Sequence, residues 1–139
     1  MEITPFLVGS GRASQALAES LAILPLADSR FRIAPPRRLK RGQSLEGLTE
    51  GVEFPLLGIS NPHALHAPTV LAAEKAGFKL IVVEKPAGVS LEQVRALREV
   101  RVPVAVAHVY RQTWGIRTLR ALREGGELGD IIAIEGRYW

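Results

Sequence analysis

The sequence predicts an α/β domain built on a doubly wound parallel sheet. Three observations lead there: strand-like runs recur at regular intervals, helical patterns separate most of them, and the second, fourth and fifth runs are continuously apolar or β-branched where a half-exposed sheet would alternate. At 139 residues the chain has the size of one ordinary domain, able to bury a core without disulfide or metal.

In chain order, EITPFLV (2–8) reads as the first strand. Ala13, Ala16, Leu17, Leu21 and Leu24 then repeat with the 3.6 period of a half-buried helix over Arg12–Leu24. RFRIA (30–34) is the second strand, and residues 35–51, rich in Pro, Arg and Gly, predict a loop with at most a short helix over Ser44–Leu48. FPLLGIS (54–60) is the third strand, followed by a helix from Pro62 to Ala76 that Gly77 ends. KLIVVE (79–84) is the fourth, and Ser90-x-x-Gln93 is a capping pattern opening a helix to Val100. VPVAVAHV (102–109) is the fifth, and Thr113–Glu124, with Ile116, Leu119 and Leu122 on one stripe, is a helix stopping at Gly125-Gly126. DIIAIEGRYW (130–139) alternates like a sixth strand that wants partners; it is expected to pair with the same strand of a second chain, giving a dimer, or to fold onto its own domain.

Cysteine is absent, which excludes disulfide frameworks, thiolate zinc sites and cysteine nucleophiles. The longest early apolar stretch, 16–27, is broken by Glu19, Ser20 and Pro25, and suits neither a signal peptide nor a membrane span; a soluble, cytoplasmic protein is expected. The net charge is +4, with arginine supplying 14 of 18 basic side chains. Arg37 to Arg41 form one basic cluster, whereas Arg117, Arg120 and Arg123 read as a solvated helix face. Interleaved aromatics and recognition motifs are lacking, so no nucleic-acid partner is expected.

Gly9-Ser10-Gly11-Arg12-Ala13-Ser14 fits G-x-G-x-x-small between a strand and a helix. In a dinucleotide fingerprint the first glycine permits the tight turn, the second lets a pyrophosphate approach the backbone, and the third small residue lets helix and strand pack closely. A glycine corner without ligand has the same pattern. The fingerprint also expects an acidic residue at the end of the second strand, where this chain carries Ala34-Pro35-Pro36-Arg37-Arg38. Arg37, Arg38, Lys40 or Arg41 would grip the 2′-phosphate of NADP, giving NAD(P) with NADP slightly preferred; the other reading is a loop that has lost selectivity.

SNPHALHAP (60–68) leaves the third strand through Asn61 and Pro62, with His63 and His66 in the following turn, and VVEKPAGVS (82–90) puts Glu84, Lys85 and Pro86 at the end of the fourth. In an open α/β sheet both segments border the crevice of the glycine turn. The histidine pair has no cysteine or matching carboxylate beside it, so no metal is expected.

With these segments in order, the sequence resembles the Gfo/Idh/MocA family of NAD(P)-dependent oxidoreductases acting on sugars, inositols and related polyols. VGSGRAS is similar to its glycine turn, NPHALHA to its T-P-N-x-x-H segment and EKPAGVS to its E-K-P signature, and the stretch after the fifth strand resembles the passage into a substrate domain. The resemblance implies residues 1–125 as a dinucleotide-binding Rossmann domain and 126–139 as the start of a second domain. It implies Lys85 beside the nicotinamide and the substrate hydroxyl as the catalytic residue. Pro86 would shape its turn, Pro62 and His66 would line the cofactor crevice with His63 beside them, and His108 and Arg111 would stand near the substrate entrance. Asn61 replaces the family's usual threonine, and the ribose carboxylate is missing. The expected activity is hydride transfer on a sugar or polyol; a catalytically silent dinucleotide-binding or sensing module is the alternative.

Overall fold

A computed structural model describes residues 1–137. The elements are β1 (Glu2–Val8), α1 (Arg12–Ala27), β2 (Arg32–Ile33), β3 (Arg37–Leu39), β4 (Phe54–Ile59), a 3₁₀ turn (His63–Leu65), α2 (His66–Lys75), β5 (Leu80–Val83), α3 (Leu91–Arg98), β6 (Val104–Val106), a second 3₁₀ turn (Val109–Gln112) and α4 (Trp114–Glu124). The strands form one sheet of order β2-β1-β4-β5-β6, with β3 also on β1, and every pairing is parallel.

Residue parity divides the core between the two faces. Leu57, Ile59, Ile81 and Val83 point to one face with Val70 and Ala73 of α2 and Phe78, whose ring meets Phe6 edge-on at 5.3 Å. Their neighbours Leu56 and Leu80 point to the other, with Leu17, Leu21 and Leu24 of α1. Helices therefore cover both faces, which explains why the inner strands carry few polar positions. On the α1 face Gly58 leaves room for the helix, because a Cβ there would stand 2.4 Å from Leu17 Cδ2 and 2.8 Å from Leu7 Cδ2.

The chain leaves β1 for one edge, then returns past it to build β4, β5 and β6 on the other side. The point of reversal lies between β1 and β4, the place where an open α/β sheet splays its connections and opens a crevice.

Several elements differ from the sequence reading. Residues 37–39, expected in a loop, form a strand beside β1. The register shifts from Ile3↔Ile33 to Phe6↔Arg37, so one extra residue is accommodated at Ala34-Pro35-Pro36. The Ala34 amide donates to the Ile3 carbonyl, which puts odd residues of β1 on this side. Pro5, also odd, offers no donor there, and the ladder breaks opposite it.

Residues 44–48 form loop and turns, as the sequence predicts, without the short helix that it allowed at most. Successive four-residue turns, closed by hydrogen bonds from Leu48 to Leu45, Glu50 to Gly47 and Val52 to Thr49, run from Leu45 to Val52, with Gly47 and Gly51 at positive φ and Leu45 inserted into the core. The helix expected from Pro62 starts at His66, because Pro68 cannot donate to Ala64; starting there leaves Pro68 in the first turn, where no donor is needed. Conversely, α1 continues through Pro25 to Ala27, with the Asp28 amide closing on Leu24. The Ser90 cap is as read, its hydroxyl accepting from the Gln93 amide at 3.2 Å, while Gln93 Oε1 accepts from Val89 at 2.9 Å.

Residues 130–137 form no strand, contrary to the alternation of DIIAIEGRYW; without a neighbouring strand within the described residues its donors and acceptors have no ladder to join. Tyr138 and Trp139 lie outside the described residues. By contacts the chain divides into two compact units, residues 1–107 and residues from His108 onward, so that α4 belongs to the second unit. Among the described residues no helix is long and apolar enough to cross a membrane.

Candidate functional site

Parallel strands end at the same sheet edge, which brings the residues after β1, β3, β4 and β5 together. Between the segments after β1, β3 and β4 lies a cleft of about 950 Å³, lined by Val8, Gly9, Ser10 and Gly11, by Leu39 to Gly42, and by Ser60 to His63 with Leu65. Glu84, Lys85 and Pro86, expected to border it, follow β5 at the same sheet edge but do not line it.

The glycine turn is fixed by its neighbours. Gly9 has φ +107°, and a Cβ there would lie 2.6 Å from the Ser60 carbonyl oxygen, so both backbone conformation and space require glycine. Ser60 is tied to the same turn: its amide and hydroxyl both donate to the Val8 carbonyl, at 2.8 and 3.1 Å. Gly11 differs. Its φ is −79°, and an added Cβ would meet no protein atom within 4 Å, so the space beside it is open. Gly11 caps α1 without a side-chain bond, and the first turn of α1, opened by Arg12 and Ala13, holds no acidic residue; its field therefore favours an anion. Ser14, the small third position, is buried where the helix meets the sheet.

The β3 register decides which basic groups reach this cleft. Val8 pairs with Leu39, so the next residues, Gly9 and Lys40, leave the sheet together, and Lys40 and Arg41 form a wall. Arg37 and Arg38 pair with Phe6 and Leu7 lower on the strand and do not line it. Arg37 lies over the Phe6 ring at 5.2 Å, and Arg38 donates to Ser14 Oγ at 3.2 Å and Gln15 Oε1 at 2.8 Å. The basic cluster hid this division because the strand between its members was read as loop.

On the opposite wall Asn61, Pro62 and His63 line the cleft, and His66 does not. The His66 ring is fully buried, with Nδ1 2.7 Å from the Pro86 carbonyl and Nε2 2.8 Å from the Asn61 carbonyl. Asn61 Nδ2 donates to Thr69 Oγ1 at 3.0 Å, leaving Asn61 Oδ1 buried without a partner among the described residues. The Glu84 amide continues the ladder to Ile59, its carboxylate accepts from the Lys85 amide at 3.3 Å, and the Lys85 side chain is exposed. The Lys85–Pro86 bond is cis. His108 and Arg111 belong to the second unit, at the cap and within the body of its 3₁₀ turn, where the Arg111 amide donates to the His108 carbonyl at 3.0 Å. Among the described residues no group of three metal-ligating side chains occurs. Ser60 was missed by the sequence reading; its signal was its place one residue beyond the third strand, facing the turn after the first.

No family model matches the chain. A levoglucosan dehydrogenase of Pseudarthrobacter phenanthrenivorans is 31% identical over 87 residues, which are 60% of this chain and 22% of that protein. Among solved structures, the Bacillus subtilis protein yvaA, which carries an oxidoreductase assignment, superposes with a TM-score of 0.64 at 22% identity, over 93% of this chain and 41% of that one. The similarity is to oxidoreductases. The second match establishes the parallel α/β fold, and the chain spans about a fifth of the length of the curated relative it matches.

Proposed function

We propose that residues 1–107 hold a nicotinamide dinucleotide, NADP in preference to NAD, in the cleft between β1 and β4, and that the protein serves the oxidation or reduction of a sugar or polyol hydroxyl. The observation that carries this reading is the contrast between the two glycines: Gly9 is required by the protein's own packing, whereas the missing side chain of Gly11 leaves room that no protein atom uses. A pyrophosphate fits that room, against the unpaired amides that open α1. Lys40 and Arg41 stand where the ribose carboxylate is absent, at the end of the strand that flanks β1, and suit a 2′-phosphate.

When bound, the nicotinamide ring supplies or takes up a hydride at C4. The chain's own part is positional and acid–base. The glycine turn anchors the diphosphate, Asn61 to His63 form the facing wall, and Lys85 Nζ, at the end of β5, takes the hydroxyl proton as the carbon gives up its hydride and returns it in the reverse direction. The substrate class is supported by the resemblance of the EKP segment and by a relative named for its action on levoglucosan. Calorimetric titration with NADH and NADPH side by side tests the proposal. Tighter binding of NADPH is expected; absence of binding by either overturns it.

A further inference from the structure

We infer that His66 is a positioning residue, a buried latch that registers the Lys85 loop against the cleft, and not a group that touches a ligand. The inference rests on the nicotinamide reading above, though the geometry behind it involves only this chain. Both partners of the His66 ring, the Asn61 and Pro86 carbonyls, can only accept. The ring donates from whichever nitrogen bears a proton, and no nitrogen is left to face the cleft. Buried among backbone groups, such a bond is costly to remove, because the carbonyls would be left without water.

The latch completes a continuous series of contacts. The Val8 carbonyl, at the glycine turn, accepts from Ser60; the next residue, Asn61, is held through its side chain by Thr69, which itself donates to the Leu65 carbonyl at 2.7 Å. From Asn61 the His66 ring reaches across to Pro86, the residue after Lys85. Where the same loop enters α3, Gln93 of that helix accepts from the Val89 amide and donates to the Ala64 carbonyl at 3.3 Å. The glycine turn and Lys85 lie on different connections, and the His66 ring joins the segment after β4 to the segment after β5 at Pro86, beside the residue it positions, whereas Gln93 joins them farther along. Its place at the first residue of α2 follows from Pro68, which fixes where that helix begins.

The test compares wild type, His66→Leu and His66→Gln by calorimetry with NADPH and with 2′-phospho-ADP-ribose, which lacks the nicotinamide, and by amide hydrogen exchange without ligand. In His66→Leu, exchange at Lys85 and Ala87 is expected to accelerate while Gly9 to Gly11 stay unchanged. NADPH should bind about fivefold more weakly, the worth of one net hydrogen bond, with the truncated ligand unaffected. His66→Gln, which retains N–H donors, should recover part of the loss. Equal weakening of both ligands, or unaltered exchange at Lys85 and Ala87, would overturn the inference. If wild type binds neither ligand the dinucleotide reading fails, and exchange alone then decides the latch. Should His66→Leu fail to fold, the wild-type ring is read directly by NMR: a slowly exchanging ring N–H close to residue 86 supports the latch, and a ring with no protected N–H, or with one close to residue 61 alone, refutes it.

Discussion

At the scale of single residues, the two cleft glycines predict opposite behaviour. Gly9→Ala forces a side chain onto a φ of +107° and against a backbone carbonyl, which should cost about 1–3 kcal/mol from the backbone conformation alone and more from the clash. Gly11→Ala should change stability by less than about 1 kcal/mol, since its φ is ordinary and its surroundings are empty. Yet it should weaken NADPH binding about tenfold by filling the room for the diphosphate. Thermal melting and calorimetry on the two variants check the contrast. The sequence pattern made both glycines visible; their different reasons were not, because one depends on Ser60, 51 residues away. A second residue-scale prediction concerns pH. The Arg30 side chain, then its backbone amide, hydrogen-bond Asp28 and hold its carboxyl below the usual range, against a weaker desolvation effect. A depressed folded-state value means stabilisation that is present above the unfolded value and lost as pH falls through the folded one. The stability difference between wild type and Arg30→Gln should therefore be small and flat near neutral pH and shrink in acid below about pH 4, as urea melts across pH would show.

Elements obey longer-range constraints, and here the sequence was only partly legible. The strands β1, β4 and β5 announced themselves because apolar runs buried on both faces have few alternatives. The strand β3, Arg37-Arg38-Leu39, did not. Its side chains are largely exposed, its backbone is what pairs, and two prolines precede it, so neither periodicity nor composition distinguished it from loop. The consequence for the site was direct: with β3 unseen, Arg37 and Arg38 seemed equivalent to Lys40 and Arg41, and only the register separates them. The helix–sheet contact at Gly58 offers a test at this scale. Gly58→Ala should destabilise by about 1–3 kcal/mol through overpacking against Leu17 and Leu7. Combining it with Leu17→Ala should cost less than the sum of the two single changes, because the shortened side chain vacates the space the new methyl needs. Denaturant melts on the four proteins of that cycle measure the coupling; additive costs would mean that the two residues do not share this contact.

For the molecule as a whole, topology explains why segments far apart in sequence share one cleft. Reversal of strand order between β1 and β4 separates the connections above them, and the basic wall after β3 faces the turn after β1 from the flank. The overall charge of +4 says little about function, but the placement of Lys40 and Arg41 does. Reversing both to glutamate should lower affinity for NADPH about tenfold or more, removing contacts to the 2′-phosphate, while NADH changes by no more than about threefold. The wild-type preference should also fade at high salt. Parallel titrations at two ionic strengths would read both effects, and an equal loss for the two cofactors would assign the basic wall to general attraction.

The break at Ala34-Pro35-Pro36 has a consequence for solubility. Arg32 and Ala34 turn their amides inward to β1, and Pro35 and Pro36, which carry no N–H, stand between the two short strands at this margin of the sheet. A foreign strand arriving there would find its row of bonding partners interrupted, and fibril-like stacking along that border is discouraged by the same prolines that interrupt the edge strand.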